Sequence, residues 1–442
     1  MTSSPSSAPA RGRLLQVLGV GFGLAVIIGN TIGAGILRTP GEVATRLPTA
    51  ALFIGIWIIG GLYALLGANA LAELGTRLPR SGGQYVFARA ALGEFAGFIV
   101  GWSDWISTCG TTAAVAMLIA EYTRVLFPRF PSGIILIGCF VTTFFAILQW
   151  RGVRWGQRTQ EMTGLLKTLA FIAIVVACFT FGGTRQLVVP PAMPASLLLS
   201  FVLALQAVIY TYDGWAGAIY FSEEVRNPRR DIPRSLLGGV GLIIGIYLAV
   251  NLALLYVMPI GAIAGQKLAV GAAAGVVFGA LGDPVIRSLV IISMLSGINA
   301  YHLMATRVVF AMSRDGLFWR RMSEVNEGGT PAWSLLASTL VALLFILSGT
   351  FDQVIAVLAF FFVANYTLSF ISLFILRRKN MGEPNHYTAW GHPWTTALAL
   401  IGSVAFLAGA IWSDSRNSVF ALITLALSYP VFLLFRKVSH PM

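Results

Sequence analysis

Two short segments of the sequence place glycines and polar residues inside otherwise apolar stretches, at residues 28–36 and 210–217. Glycine in a helix interior costs about 1 kcal/mol per residue, so both segments are predicted to unwind. A broken helix offers free N–H groups at one new end and free C=O groups at the other, which attract an anion and a cation respectively. We therefore predict a binding site between two broken helices. The alternative is that both segments are ordinary glycine packing kinks.

The elements that must carry these segments are apolar helices. The chain has 442 residues, of which 57% are hydrophobic and 11% are charged, whereas a soluble domain carries about 25% charged residues. This composition excludes a soluble enzyme, a disulfide scaffold and a disordered protein, and it predicts an all-α polytopic membrane protein. Twelve spans are predicted, at residues 16–37, 47–73, 86–119, 133–149, 162–183, 196–222, 236–258, 284–311, 334–350, 352–376, 393–412 and 418–435.

The formal net charge of +13 is explained by orientation in the membrane. With both termini cytoplasmic, most of the 30 lysine and arginine residues fall on the inner side, as the positive-inside rule requires. The charge therefore needs no nucleic-acid partner. Residues 1–13 are predicted to be a disordered cytoplasmic tail, because the first ten are rich in Ser, Pro and Ala and two arginines follow them.

Catalytic and metal-binding motifs are lacking in the sequence. Cys109, Cys139 and Cys178 fall inside predicted spans, so no disulfide framework is expected. The four histidines are scattered, and there is no P-loop, zinc-protease or hydrolase motif. The sequence therefore predicts neither an enzyme nor a cofactor or metal site. The two predicted breaks lie in the first and sixth spans, which is the spacing expected of two five-helix repeats of opposite topology.

Several motifs occur in order along nearly the whole chain: Gly29–Ile36, Pro79–Tyr85, Gly101–Trp105, Tyr212–Trp215, Glu223–Arg234, Ser313–Gly316 and Thr330-Pro331. Together they resemble the amino acid–polyamine–organocation (APC) superfamily, and within it the L-type amino acid transporter branch and its bacterial relatives. The resemblance implies twelve transmembrane helices in a 5+5 inverted repeat, with helices 1 and 6 broken at mid-membrane and two further C-terminal helices. The repeats would be residues 14–195 and 196–376, followed by helices 11 and 12 and a cytoplasmic C-terminus in 377–442.

The resemblance also implies an amino acid substrate, whose carboxylate and ammonium suit the two ends of a broken helix. The backbone amides expected to bind the carboxylate are those of Ile32, Gly33, Ala34 and Gly35. The carbonyls expected to bind the ammonium are those of Thr31, Tyr210, Thr211 and Asp213. The ring of Tyr210 holds the position that caps the substrate on its outer side in relatives.

Each of the other candidate residues could have either of two roles. Asp213 could cap the second half of span six or contact the ammonium directly. Trp215 could form a wall or gate of the binding site, or it could only pack in the protein interior. Ser103 and Ser107 belong to a small-residue face of span three that could lie against the substrate or only pack against a helix. Asp104 beside them could lie in a hydrated vestibule or pair with an arginine.

Lys167 lies in predicted span five, one to two turns into the apolar stretch. Its side chain could snorkel to the cytoplasmic surface. The resemblance implies instead that its amine takes the place of a sodium ion found in sodium-coupled relatives of the fold, either as a fixed cation or as a proton carrier.

These observations predict a secondary active transporter of L-amino acids in the cytoplasmic membrane, working by alternating access with sodium-independent exchange or proton-coupled uptake. Neutral side chains are favoured, because Asp213 is the one obvious carboxylate of the site. A cationic amino acid or polyamine substrate is the alternative, as is an amino-acid-sensing receptor on the same fold. Beyond substrate and membrane lipid, no disulfide-linked subunit is expected, because Phe130 stands where animal relatives carry the linking cysteine.

Overall fold

The computed structural model describes residues 14–129, 133–183, 192–348, 351–413 and 415–439. The predicted tail at 1–13, Phe130 and the last three residues lie outside these ranges. Within them the chain forms sixteen α-helices, three short 3-10 helices and two isolated β-bridges. The α-helices are α1 Val20–Thr31, α2 Ala34–Arg46, α3 Ala50–Arg77, α4 Gln84–Leu92, α5 Glu94–Leu126, α6 Ile134–Trp150, α7 Val153–Phe181, α8 Leu197–Tyr212, α9 Pro228–Val257, α10 Ile260–Ile263, α11 Ala269–Phe278, α12 Gly282–Arg314, α13 Ala332–Ser348, α14 Phe351–Arg378, α15 Trp394–Ser413 and α16 Ser415–Ser439.

The helices are those of a multi-pass membrane protein. Within the described ranges, seven stretches are long and apolar enough to cross a membrane, and α1 with α2 forms an eighth if the bent pair is one span. Three shorter apolar helices lie at Ile134–Trp150, Ala332–Ser348 and Ala421–Arg436. Many large apolar side chains on α6, α7 and α15 are exposed, as expected where lipid is the solvent.

Both predicted breaks are present. The axes of α1 and α2 differ by 47° across the two residues that separate them. Helix α8 ends at Tyr212, and a turn at 213–216 leads into a 3-10 helix at Gly217–Phe221. Helix α9 then begins with Pro228, whose missing N–H is harmless in a first turn.

The helix that carries the predicted fifth span is longer than that span. Helix α7 begins at Val153 and not at residue 162, so Lys167 lies near its middle. The first turns of α7, which precede the predicted span, contain Arg154 and Arg158. Both side chains are exposed at this end of the helix and need no place in an apolar span.

The breaks lie at the centre of the helix packing. Helix α1 packs against α7, α9 and α12, while α2 packs against α8 and α11. Helix α5 packs against α12, α13 and α14. The broken segments are therefore enclosed by α7, α9 and α12, whose side chains can reach their free backbone groups.

Candidate binding site at the two helix breaks

The free carbonyls at the C-terminal end of α1 are bound by the side chain of Lys167. Its Nζ lies 2.9 Å from the oxygen of Gly29, 2.5 Å from that of Ile32 and 3.4 Å from that of Ile28. Ser293 of α12 donates a second hydrogen bond, of 2.9 Å, to Ile32. An amine at this end complements the partial negative charge of a helix C-terminus.

Burial excludes the snorkelling interpretation of Lys167. The side chain is 0% exposed and lies in the middle of α7, and its amine points at the break in α1. The side chain of Lys167 thus contacts the break in α1, while its role in coupling stays a prediction.

The two remaining carbonyls of this end are bound by tyrosines. Tyr301 of α12 donates to the oxygen of Asn30 over 3.1 Å, and Tyr247 of α9 lies 2.7 Å from that of Thr31. Neither tyrosine was singled out in the sequence, because each is more than 200 positions from its partner.

The N-terminal end of α2 is left open. Gly33 is its N-cap residue, with φ −141° and ψ −151°, and no side chain caps it. The first N–H groups of α2 thus lack partners within the helix. Gly33, Ala34 and Gly35 all line one cavity and are partly exposed to it, so this end can receive an anion such as a carboxylate.

The second break crosses the first at Gly214. This residue has φ +106°, a conformation that glycine adopts readily. A Cβ atom there would lie 2.8 Å from the carbonyl carbon of Asn30 and 2.9 Å from the nitrogen of Thr31. A Cβ atom at Gly217 would lie 2.6 Å from the side-chain nitrogen of Asn30. Glycines therefore allow the two broken segments to touch.

A cavity of about 650 Å³ lies against both breaks. Of the predicted site residues, it is lined by Thr31, Gly33, Ala34, Gly35, Tyr210, Thr211 and Asp213. Ile32 is buried beneath it, with its carbonyl bound to Lys167. The cavity extends along α2 to Glu42 and Arg46, and it reaches the surface at that end of the molecule.

Besides Ile32 and Lys167, three predicted site residues lie outside this cavity lining: Ser103, Ser107 and Trp215. Ser103 donates to Asn365 over 3.2 Å, and Ser107 donates to the backbone of Asp104 over 2.9 Å. The next turn of α5 contributes Thr111 instead. Trp215 stacks on Tyr366 with ring centroids 4.7 Å apart, beside a small second cavity that Asp213 also lines.

Neither sequence interpretation of Asp104 was right. The side chain is 0% exposed, and the hydroxyl of Tyr220 lies 2.9 and 2.8 Å from its two oxygens, with no arginine bound. Asp213 likewise accepts a hydrogen bond of 2.7 Å from Tyr366 of α14. Of its two interpretations, capping of the second half of span six is not observed at the 3-10 helix Gly217–Phe221, which no side chain caps, and direct contact with the ammonium stays a prediction.

The face of the molecule opposite the cavity mouth is closed by ion pairs. Arg307 and Glu224 form two hydrogen bonds of 2.9 and 2.8 Å, and both side chains are at most 1% exposed. Arg314 pairs with Glu223 at 2.6 Å. Asp315 pairs with two arginines of the α3–α4 region. The segment at Glu223–Arg234 is thus tied to α12 in this conformation.

Comparison with known proteins places the chain in a family. Residues 22–434 match the family described as Amino acid permease, so the chain belongs to that family of the APC superfamily. It is 28% identical to the serine/threonine exchanger SteT of Bacillus subtilis, over 95% of this chain and 96% of the relative. It is also 25% identical to the mouse b(0,+)-type amino acid transporter 1, over 84% and 78% of the two chains, and 28% identical to the mouse Asc-type amino acid transporter 1, over 84% and 72%.

Proposed function

We propose that the protein is a secondary active transporter of L-amino acids with neutral side chains, working by exchange or by proton-coupled uptake. The observation that carries this proposal is the pairing of opposite helix ends at one cavity. The uncapped N-terminus of α2 suits a carboxylate, and the carbonyls that end α1 and α8 suit an ammonium. An α-amino acid carries both groups on one carbon.

A neutral side chain is favoured by the charges along the cavity. Arg38 lines it and has no ion-pair or hydrogen-bond partner among the described residues, whereas Glu42 pairs with Arg46 at 3.1 Å. The carboxylate of Asp213 is already bound by Tyr366. A second positive charge on the substrate would therefore meet an unpaired arginine and no free carboxylate. This argues against the cationic amino acid or polyamine alternative.

Alternating access accounts for the asymmetry between the two faces. The cavity reaches the surface along α2, while the buried pair of Glu224 and Arg307 blocks the other side. We propose that the closed face and both termini are cytoplasmic, and that the helices form twelve spans with inverted repeats at 14–195 and 196–376. Opening to the cytoplasm would then require the ion pairs on Glu223 and Glu224 to separate.

Lys167 supports sodium independence. Its amine supplies one tethered positive charge to the carbonyls of Gly29 and Ile32, at the place where a bound cation would otherwise be needed. We propose that transport needs no sodium. The contacts of Lys167 are compatible with either role, a fixed cation or a proton carrier.

The decisive experiment is counterflow with the chain purified alone and reconstituted in proteoliposomes. Vesicles loaded with one unlabelled amino acid should accumulate the same labelled amino acid without sodium, and a panel of neutral, cationic and acidic amino acids should rank the neutral ones first. Binding without flux would identify a sensor. A strict need for a second subunit would contradict the expectation that none is disulfide-linked to this chain.

A further inference from the structure

The corner between α6 and α7 carries three exposed arginines beside two half-exposed tryptophans. Arg151 is the C-cap residue of α6, and Arg154 and Arg158 lie one turn apart at the start of α7. The side chains of Trp150 and Trp155 are 48% and 50% exposed. Only two residues separate the helices, which pack against each other, so these five side chains belong to one small region of the surface.

The three arginines are unpaired. None of them forms an ion pair or a hydrogen bond through its side chain within the described ranges, whereas Arg307 and Arg77 are each paired with a glutamate. The nearest carboxylate along α7, that of Glu161, accepts a hydrogen bond of 3.0 Å from Gln157. The corner therefore presents three positive charges that are free to bind an anion from outside the protein.

The outer face of α7 changes from apolar to charged within about one turn. Met162, Leu165 and Leu169 are exposed, and they continue the face of Arg154 and Arg158 at spacings of three and four residues. Exposed apolar side chains on a membrane helix contact acyl chains, whereas arginines near its end reach the headgroups. The step from Arg158 to Met162 therefore marks the boundary between headgroups and acyl chains.

Helix α6 shows the same change at the same corner. Phe140, Phe144 and Ile147 are exposed at spacings of four and three residues, and the next position on this face is Arg151. The two tryptophans of the corner lie at the level of the change, and tryptophan is enriched where acyl chains meet headgroups. Both helices thus offer apolar contact to acyl chains that end beside unpaired positive charge.

We propose that the α6–α7 corner is a binding site for an anionic phospholipid, whose phosphate contacts the arginines and whose acyl chains lie against α6 and α7. Charge complementarity selects this occupant, because a zwitterionic lipid brings a cation of its own to the arginines and a soluble phosphate lacks the acyl chains. The site goes beyond the proposed function, since it involves neither the central cavity nor the substrate. Lys167 is buried on the opposite face of the same helix.

The test measures the binding of phosphatidylglycerol and phosphatidylcholine to the purified full chain by native mass spectrometry. The wild type should bind one phosphatidylglycerol about tenfold more tightly than phosphatidylcholine. The triple variant Arg151→Gln, Arg154→Gln and Arg158→Gln should reduce this preference to about twofold. Phosphatidylglycerol should also raise the melting temperature of the wild type more than that of the variant. All three side chains are exposed, so the variant should fold.

A second triple variant supplies the matched control. Arg226, Arg230 and Arg234 are also exposed, but no large apolar side chain is exposed within residues 226–241, all of which the structure describes. Changing these three arginines to Gln removes the same charge without touching the corner. The control should therefore keep the preference of about tenfold for phosphatidylglycerol.

Equal binding of the two lipids to the wild type, or an unchanged preference in the first variant, would overturn the proposal. An equal loss in both triple variants would also overturn it, because it would indicate diffuse attraction by any group of arginines. Displacement of the bound lipid by an equal concentration of glycerol phosphate would indicate a site for a soluble anion and would contradict the contacts with acyl chains.

Discussion

The two helix breaks are held open by different means. The first, between α1 and α2, has a helix on both sides, and a buried lysine and two tyrosines bind its carbonyls. The second follows α8 and depends on Gly214, whose positive φ and lack of a side chain let it touch the first break. The first break is therefore maintained by side chains from distant helices, whereas the second combines such bonds, from Tyr247 and Tyr366, with the backbone conformation of Gly214.

This difference predicts the largest effect for Lys167→Ala. The change removes the amine from three backbone carbonyls of the first break. The carbonyls of Ile28 and Ile32 keep the N–H of Ile32 and the hydroxyl of Ser293 as donors, whereas the carbonyl of Gly29 loses its donor, at a cost of about 1–3 kcal/mol if no water replaces it. Transport should fall below about 1% of the wild-type rate, and the melting temperature should fall as well. Uptake in choline medium and in sodium medium should be equal for the wild type.

The matched control is Lys267→Ala, which removes an exposed lysine outside the site and should leave transport unchanged. Full activity in the Lys167→Ala protein, or sodium-dependent uptake by the wild type, would show that the lysine does not hold the first break.

The second prediction tests whether a change at the first break can weaken substrate binding while the protein still folds. A Cβ atom at Gly33 would meet only the terminal carbon of Met294, at 3.3 Å, and the φ of −141° suits any residue. Gly33→Val should therefore fold, while its branched side chain occupies the space for the carboxylate and lowers affinity at least about tenfold. Gly245→Val, at an exposed glycine with open space, should bind normally. Unchanged affinity in Gly33→Val would refute the carboxylate assignment.

The third prediction tests the local geometry of the second break. Gly214→Ala introduces both a strained φ, which costs about 1–2 kcal/mol, and a clash with backbone atoms of Asn30 and Thr31. Both stability and affinity should fall, the affinity about tenfold. The control Gly265→Ala introduces a strained φ of +76° without a clash, since nothing lies within 4 Å of the added Cβ atom. Equal losses in the two variants would mean that contact between the breaks is unimportant.

The smallest expected effect concerns α2, the second helix of the first break. Arg38→Glu reverses the unpaired charge of the cavity and should raise the relative uptake of L-arginine over a neutral amino acid about three- to tenfold, an effect that salt should weaken. Arg124→Glu changes the net charge equally at an exposed position outside the cavity lining and should leave the ratio unaltered. An unaltered ratio in both would remove the charge argument for neutral substrates.

The positions of the breaks, the all-helical membrane architecture and the place of Lys167 in an apolar helix could be predicted from the sequence. All three depend on local composition: glycine clusters weaken a helix wherever they occur, apolar runs require lipid, and a lysine within such a run needs a partner. The family could be identified for a similar reason, since its motifs lie at these local features.

The tertiary structure alone decided which side chains meet the broken ends. Ser103 and Ser107 share a face of α5 with Thr111 of the cavity lining, but they lie about two turns and one turn before it, because the position of α5 along its axis is fixed by its neighbours. Asp104 is bound by Tyr220, and the carbonyls of Thr31 and Thr211 by Tyr247, over separations of 116, 216 and 36 residues. Such pairs depend on how helices far apart in the chain pack, which local sequence does not determine.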